Sequence, residues 1–128
     1  MNKEEIYYMS AVDMAEAIKN GEETSSEILE VFIERIEKIN PIINAYCTPS
    51  FEIAREMAKK ADDSIKNGRN LGSLTGIPTS IKDLMLTKGI RTTYGSKLHE
   101  NFIPEDDEIV VKRLKNAGCV ILGQPKTP

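Results

Sequence analysis

A lysine inside an apolar stretch is the residue of this chain whose type and setting could do chemistry. Lys82 lies in the run TSIKD at residues 79–83, which predicts a short β-strand. The period-two alternation of a strand places Ser80 and Lys82 on one face and the residues between and beside them on the other. A lysine in apolar surroundings loses proton affinity and can act as a base or a nucleophile at neutral pH. The alternative is an amine that extends into solvent from the strand end and has no chemical role.

Partners for this lysine are few in the sequence around it. Ser73, Ser80 and Ser96 are the nearest serines, and none stands in the G-x-S-x-G pattern of a nucleophile, so each is interpreted as a turn or strand hydroxyl. His99 is the only histidine and lies in a polar run, which indicates a solvated side chain rather than a metal ligand. Asp83 points away from the lysine by alternation and is predicted to secure the following turn.

The composition is that of a single globular domain without affinity for nucleic acid or membranes. With 128 residues, 40% hydrophobic and 29% charged, the chain can bury a core of its own. The net charge of −3 and the dispersed lysines and arginines provide no direct patch for nucleic acid or anionic lipid. The start has no apolar leader and no run reaches membrane-spanning length, so a cytoplasmic protein is expected.

The two cysteines are expected to be structural. Cys47 and Cys119 lie far apart, each in an apolar, strand-like run. Their spacing fits no metal site, and in a reducing compartment two buried thiols are predicted rather than a disulfide.

Two amphipathic helices open the chain. Ser10 is predicted to cap the first helix and Gly21 to end it. Thr24 opens the second with an S/T-x-x-E capping box, and a broad apolar stripe follows. Pro41 is predicted to end this second helix, because the residue before a proline is pushed out of the helical region. Residues 1–40 are therefore interpreted as a helical hairpin.

Strands and helices then alternate. Residues 42–48 are β-branched and aromatic and predict a strand, and Ser50 caps a third helix that Gly68 closes. The loop at residues 70–76 has no phosphate-binding glycine pattern. The strand that carries Lys82 comes next.

A long irregular stretch and a last helix follow the lysine. Residues 87–104 are irregular in composition, with Gly89, Gly95, Ser96 and Pro104, and a loop of this length inside a domain is often functional. Asp106 or Asp107 is predicted to cap the last helix, which Gly118 ends. Three apolar positions are expected to share its buried face: Val110, Leu114 and Ala117.

The last strand completes the predicted α/β architecture. Residues 119–122 form a continuous apolar run, which is typical of a strand buried on both faces. Strands alternating with helices of this size favour a mostly parallel sheet with right-handed crossovers. The tail at residues 124–128 follows directly, so the sheet is expected to end with the chain.

Linked motifs along nearly the whole chain resemble the amidase signature family. The most specific are Gly76-Ile77-Pro78, Ile81-Lys82-Asp83, Lys88-Gly89, Thr92-Thr93-Tyr94-Gly95-Ser96 and Phe102-Ile103-Pro104. The stretches at residues 25–46 and 110–123 continue the match. One departure stands out, since the family usually continues with G-K-T-N where this chain has GQPKT at residues 123–127.

The resemblance implies a fold, a reaction and a role for Lys82. It implies the amino-terminal part of the amidase-signature fold, a single domain over residues 1–128 with the hairpin at 1–40 and a partial, incomplete α/β sheet at 41–128. Lys82 matches the lysine of a Ser-cisSer-Lys triad that hydrolyses carbon–nitrogen bonds of a small amide without cofactor or metal. The serine segment of the family lies downstream of Pro128. This chain is therefore expected to be a fragment that is inactive alone and that self-associates or pairs with the remaining portion.

Three other functions stay open on the sequence. A glutaminase-type subunit of a tRNA-dependent amidotransferase fits the same motifs. A non-catalytic remnant that serves as an interaction domain would need no nucleophile. A lysine-centred enzyme that forms a Schiff base would need only Lys82.

Overall fold

The computed structural model describes residues 1–69 and 72–127, which it folds into five α-helices, one 3-10 turn and four short strands. Residues 70 and 71, the start of the loop expected at 70–76, and Pro128 of the tail lie outside the described residues. The elements in chain order are α1 Lys3–Tyr8, α2 Ala11–Asn20, α3 Ser25–Ile43, β1 Tyr46–Pro49, α4 Phe51–Lys66, β2 Pro78–Thr79, the 3-10 turn Lys97–His99, α5 Ile109–Asn116, β3 Val120–Ile121 and β4 Gly123–Pro125.

Local capping signals position the first helices. The Ser10 hydroxyl accepts the Asp13 N–H at 3.1 Å, and Gly21 ends α2 in the left-handed conformation, as predicted. The short helix α1 was not predicted, and its Ile6 is buried with side chains of α2 and α3. These three helices therefore share an amino-terminal core.

The capping box at the start of α3 supplies a testable contribution to stability. The Thr24 hydroxyl accepts the Glu27 N–H at 3.1 Å, while the Glu27 carboxylate accepts the Thr24 N–H at 2.8 Å and the Thr24 hydroxyl at 2.9 Å. We expect Thr24→Ala to lower the free energy of unfolding by about 1 kcal/mol. Thr24→Ser keeps the hydroxyl and serves as the control in the same denaturant titration. Equal losses in both variants would show that the cap contributes nothing.

The same box makes stability depend on pH. The Thr24 backbone N–H, and after it the Thr24 hydroxyl, hold the pKa of Glu27 below its usual value. A carboxyl group whose pKa is lower in the folded state stabilises the fold above the pKa of the unfolded chain, about 4.3, and loses that contribution as the pH falls through its folded pKa. Glu27→Gln should therefore flatten the acid limb of a stability titration, which begins as the pH falls towards the unfolded value of about 4.3 and continues below it. An unchanged acid limb would contradict this role of Glu27.

The predicted end of α3 at Pro41 is wrong. The helix continues to Ile43, and Asn44 ends it in the left-handed conformation with its N–H donating to the Asn40 carbonyl at 2.7 Å. The Asn40 side chain fixes the residues that follow the helix, since it accepts the Tyr46 N–H at 2.8 Å and donates to the Tyr46 carbonyl at 3.2 Å. These contacts outweigh the single hydrogen bond that a proline removes. The strand predicted at residues 42–48 consequently begins only at Tyr46.

Helix α4 packs through small side chains, as its sequence predicted. Ala54, Ala58 and Ala61 are buried, and the first two share a core with side chains of α3 and β3. Ser50 precedes the helix as predicted, but its hydroxyl makes no cap; it donates instead to the Ile121 carbonyl at 3.1 Å. This bond ties the start of α4 to β3.

The strands form two small two-stranded sheets, one parallel and one antiparallel. Strand β2 pairs with β3 in parallel, with Pro78 opposite Val120 and Thr79 opposite Ile121. Strand β1 pairs with β4 in antiparallel fashion, with a register shift between Tyr46 and Thr48. The α/β class with an incomplete sheet is confirmed.

Two strand boundaries differ from the prediction. The strand expected at residues 79–83 is a ladder only as far as Thr79, although the Ile81 N–H still donates to the Gly123 carbonyl at 3.1 Å and the Asp83 N–H to the Pro125 carbonyl at 3.0 Å. The apolar run at residues 119–122, predicted as the last strand, forms β3 only at Val120–Ile121, and a further strand, β4, follows it and pairs with β1. A ladder needs a partner strand at the right distance, which the local pattern does not specify.

Helix α5 begins later than predicted. Its cap is Glu108, while the Asp107 carboxylate accepts the Lys88 N–H at 2.7 Å and binds the Lys115 ammonium at 2.9 Å. The buried face also differs from the prediction, since Val111 is fully buried and Val110, predicted to face the core, is 42% exposed. Within the described ranges no helix is long and apolar enough to cross a membrane.

Candidate functional site

Lys82 lies just beyond the carboxyl end of β2, in what we call the Lys82 segment, residues 81–83. Ile81 is 3% exposed and Asp83 is 1% exposed, whereas Lys82 between them is exposed. The alternation predicted from the sequence is therefore present. It presents the amine to solvent beside a parallel strand pair, and the carboxyl ends of parallel strands are where open α/β sheets place their ligands.

The Asp83 carboxylate joins this segment to two other parts of the chain. It accepts the Thr93 N–H at 2.7 Å and the Thr93 hydroxyl, and the Cys47 thiol donates to it at 3.4 Å. The predicted role in securing the immediately following turn is wrong, because these partners lie in the loop around residue 93 and in β1. A buried carboxylate needs such donors to offset its lost hydration.

The loop fixed by Asp83 carries a strained aromatic residue. Tyr94 has φ 55°, a left-handed conformation that is costly for a residue with a Cβ, and the Gly95 N–H donates to the Thr93 hydroxyl at 3.2 Å. His99 is exposed, as predicted, and its ring lies between those of Tyr94 and Phe102, with centroid distances of 5.3 and 5.9 Å. The rings of Tyr94, His99 and Phe102 therefore form one aromatic cluster on this loop.

The predicted hydroxyl positions have structural partners. Ser80 lies on the same face as Lys82, and its hydroxyl is hydrogen-bonded to that of Tyr46. Ser96 accepts the Leu98 N–H at 3.3 Å and caps the 3-10 turn. Ser73 is exposed in a turn. The tyrosine partner was missed, because nothing in the sequence links β1 to the residue before Lys82.

Arg91 is a second residue that the sequence did not single out. Its guanidinium donates to the Thr48 hydroxyl at 3.1 Å and to the carbonyls of Cys47 and Glu100, each at 2.9 Å. It thereby fastens β1 to the loop at residues 91–100. A lone arginine in an irregular stretch gave no signal of this role.

Gln124 is the third such residue, and it is fully buried. Its Nε2 donates to the Met85 carbonyl at 3.1 Å, to the Thr87 hydroxyl at 3.0 Å and to the Thr92 hydroxyl at 3.1 Å. A polar residue directly after a buried apolar strand is the signal that could have identified it.

Both cysteines are free thiols. Cys119 is buried as predicted, and burial raises the pKa of its thiol. Cys47 is only partly buried, and burial first, then its hydrogen bond to Asp83, raises the pKa of its thiol. Both shifts disfavour the reactive thiolate. Among the described residues no three histidine, cysteine or carboxylate side chains converge as a metal site would require.

The exposure of Lys82 predicts how little it contributes to folding. We expect Lys82→Met to change the free energy of unfolding by less than about 0.5 kcal/mol, since a solvated charge at a strand end makes little net contribution. Asp83→Ala, next to it, should cost about 2–4 kcal/mol because it leaves the Thr93 donors unpaired inside the protein. Denaturant unfolding of both variants beside the parent measures this. A loss above about 2 kcal/mol for Lys82→Met would mean that the amine is a paired, buried group.

Known proteins match nearly the whole chain. The family model described as Amidase matches residues 27–128. A glutamyl-tRNA(Gln) amidotransferase subunit of Carboxydothermus hydrogenoformans is 44% identical over 120 residues, which are 94% of this chain and 25% of the relative. The corresponding subunit of Lachnospira eligens is 46% identical over 115 residues, 90% of this chain and 24% of the relative. The chain therefore spans about a quarter of the curated relatives that it matches.

Solved structures share the fold. The peptide amidase of Stenotrophomonas maltophilia superposes with a TM-score of 0.87 at 29% identity, over 92% of this chain and 24% of the amidase. A fatty acid amide hydrolase superposes with a TM-score of 0.91 at 26% identity, over 98% of this chain and 22% of that protein.

Proposed function

Since the chain belongs to the amidase family, we propose that it supplies the lysine base of a site that hydrolyses amide bonds, and that Lys82 is this base. The observation that carries the proposal is the placement of Lys82. Its amine is exposed at the carboxyl end of a parallel strand, inside the matched residues 27–128, while both neighbouring side chains are buried. A segment held in this way points one amine at a fixed place on the surface.

The proposed chemistry needs a base, a nucleophile and donors for the developing oxyanion. In the Ser-cisSer-Lys mechanism the neutral lysine takes a proton through the bridging serine as the second serine attacks the carbonyl carbon. The same proton then passes back through the bridging serine to the amide nitrogen, the carbon–nitrogen bond breaks, and ammonia or an amine leaves from the acyl-enzyme. Water then releases the acyl group. Lys82 fills the first role in this proposal, and the two serines belong to the portion of the relatives that extends beyond the matched quarter.

For the substrate, we propose the amide donor of an amidotransferase, glutamine. The relatives that support this choice are components of glutamyl-tRNA(Gln) amidotransferases. The general reaction class, hydrolysis of an amide bond, is supported equally by the peptide amidase and the fatty acid amide hydrolase. Glutamine and simple primary amides are therefore the two substrates to compare.

A chimera tests the proposal directly. The 120 residues of this chain that match the Carboxydothermus protein replace the corresponding quarter of that protein, and ammonia release is measured with glutamine and with simple amides. We expect hydrolysis by the chimera and preference for glutamine. Hydrolysis only of simple amides would keep the amidase and reject the glutamine substrate. A chimera that folds, by circular dichroism, yet hydrolyses neither would refute the proposal.

The 128-residue chain and the remaining portion of the relative are assayed separately as controls. Neither should release ammonia. Among the serines close in sequence to Lys82, the Ser80 hydroxyl is hydrogen-bonded to Tyr46 and the Ser96 hydroxyl caps a turn, and within the described part of the chain neither is hydrogen-bonded to the lysine as a nucleophile would be to its base.

A further inference from the structure

Strand β4 holds the Lys82 segment from both sides of the lysine. The Ile81 N–H donates to the Gly123 carbonyl at 3.1 Å, and the Asp83 N–H donates to the Pro125 carbonyl at 3.0 Å. Gln124 lies between these two acceptors. Main-chain hydrogen bonds therefore fix the backbone around Lys82. Gln124 is the residue of β4 that lies between the two acceptor carbonyls, so its side chain starts at the centre of this contact.

The Gln124 side-chain amide also binds the loop at residues 85–92, which follows the Lys82 segment. Its three acceptors, at Met85, Thr87 and Thr92, all belong to the chain after the Lys82 segment. The Thr87 hydroxyl itself donates to the Met85 carbonyl at 3.2 Å, and the Thr92 hydroxyl donates to the Ile90 carbonyl at 3.1 Å. Because each hydroxyl uses its hydrogen elsewhere, its oxygen acts as an acceptor towards Nε2. The three groups around Nε2 are therefore all acceptors, which suits a donor at this position.

The amide oxygen of Gln124, unlike its nitrogen, has no partner. Gln124 Oε1 is buried and has no hydrogen-bond partner among the described residues. A buried acceptor without a partner costs about 1–3 kcal/mol, and in a folded protein it calls for an explanation. The explanation is the amide nitrogen: an apolar side chain would avoid the unpaired oxygen but would leave the loop after Lys82 without its common donor.

We propose that Gln124 is a positioning residue that fixes the Lys82 segment and the loop at residues 85–92 in one arrangement. The inference rests on the proposed function only in taking Lys82 as the base. The side chain acts through its bonds to Met85, Thr87 and Thr92, while the main chain on either side of Gln124 holds the Lys82 segment; neither contact involves a substrate.

Hydrogen exchange of the 128-residue chain tests the proposal. Gln124→Met has nearly the size of glutamine but no donor. We expect it to speed exchange of the Asp83 and Thr92 amide hydrogens at least about 10-fold, which corresponds to about 1.4 kcal/mol of lost local protection. The amides of Ile33 and Ala58, in α3 and α4, should keep their rates. Trypsin should also cleave faster after Lys82, while its rate of cleavage after Lys112 stays the same.

A matched variant separates positioning from general loss of structure. Ser50→Ala also deletes a buried side-chain bond, the one to the Ile121 carbonyl at 3.1 Å, but on the α4 side of the sheet. It should leave the exchange of Asp83 and Thr92 unchanged. Unchanged exchange in Gln124→Met, or equal acceleration of these amides and of those in α3 and α4, overturns the proposal.

A second pair of variants covers the case in which Gln124→Met does not fold. Thr87→Val and Thr92→Val each remove one acceptor and keep the side-chain shape. Each should speed exchange at Asp83 to a smaller extent than the glutamine variant, and no acceleration in either would overturn the proposal. No step depends on turnover, so an inactive chimera would refute the proposed function and leave this result intact.

Discussion

Lys82→Met is expected to lower kcat/KM for ammonia release by the chimera about 10²–10⁴-fold, the usual contribution of a general base. Lys82→Arg should lose as much, because a guanidinium stays protonated at any working pH and cannot accept the serine proton. The loss should appear mainly in kcat, since proton transfer occurs only in the transition state. Steady-state kinetics of both variants with glutamine measures this.

The control for this prediction is another exposed lysine in the same chain. Lys112 lies on the exposed side of α5, and Lys112→Met should leave kcat/KM within about twofold of the parent, as surface substitutions away from a site usually do. The circular dichroism spectra of all variants should match, because Lys82 contributes little to folding. If Lys82→Arg retained most of the activity, Lys82 would be a substrate-binding cation rather than a base.

Gly123→Ala is expected to lower the free energy of unfolding by about 3 kcal/mol or more. Gly123 has φ 152°, and a Cβ at this position would lie 2.6 Å from the Thr48 carbonyl oxygen and 2.9 Å from Pro49 Cα. Both obstructing atoms belong to the backbone of β1, so relief requires the paired strands to separate. The Gly123 carbonyl would then also move away from the Ile81 N–H, and the Lys82 segment would lose one of its two main-chain anchors.

Gly89→Ala is the matched control. Gly89 has φ 77°, and its added Cβ would meet no atom within 4 Å, so this variant carries the conformational cost without the collision. We expect a loss of about 1–2 kcal/mol, the cost of a left-handed conformation for a residue with a Cβ. Equal losses in the two variants, measured by denaturant unfolding, would show that β1 and β4 are not in close contact at Gly123.

Sequence signals confined to a few residues correctly predicted where α2 and α3 begin. Ser10 and Thr24 cap their helices through hydroxyls that reach only three residues ahead. The alternation around Lys82 was also predicted correctly, because it follows from the geometry of an extended chain. Such local rules need no knowledge of the rest of the fold.

The failures share a different cause. Pro41 did not end α3, because the Asn40 side chain binds Tyr46 across the end of the helix. The partners of Asp83 lie at Thr93 and Cys47, and those of Gln124 lie in the loop at residues 85–92. Every one of these contacts depends on where a distant or irregular segment lies. Without an alignment to reveal paired positions, a single sequence carries almost no trace of them.

The pairing of β1 with β4 determines which parts of the chain can fold early during synthesis and which must fold late. Helices α1 to α3 find a common core early, with Leu74 and Ile77 as its last contributors. Strand β1 leaves the ribosome soon after α3, yet its partner residues, Gly123 to Pro125, emerge only after α4, β2, α5 and β3. Closing so long a loop is slow and entropically costly. We therefore expect the nascent chain to contain the folded helices α1 to α3 while β1 and β2 are still unpaired. During this period a chaperone that binds extended segments would have access to both strands.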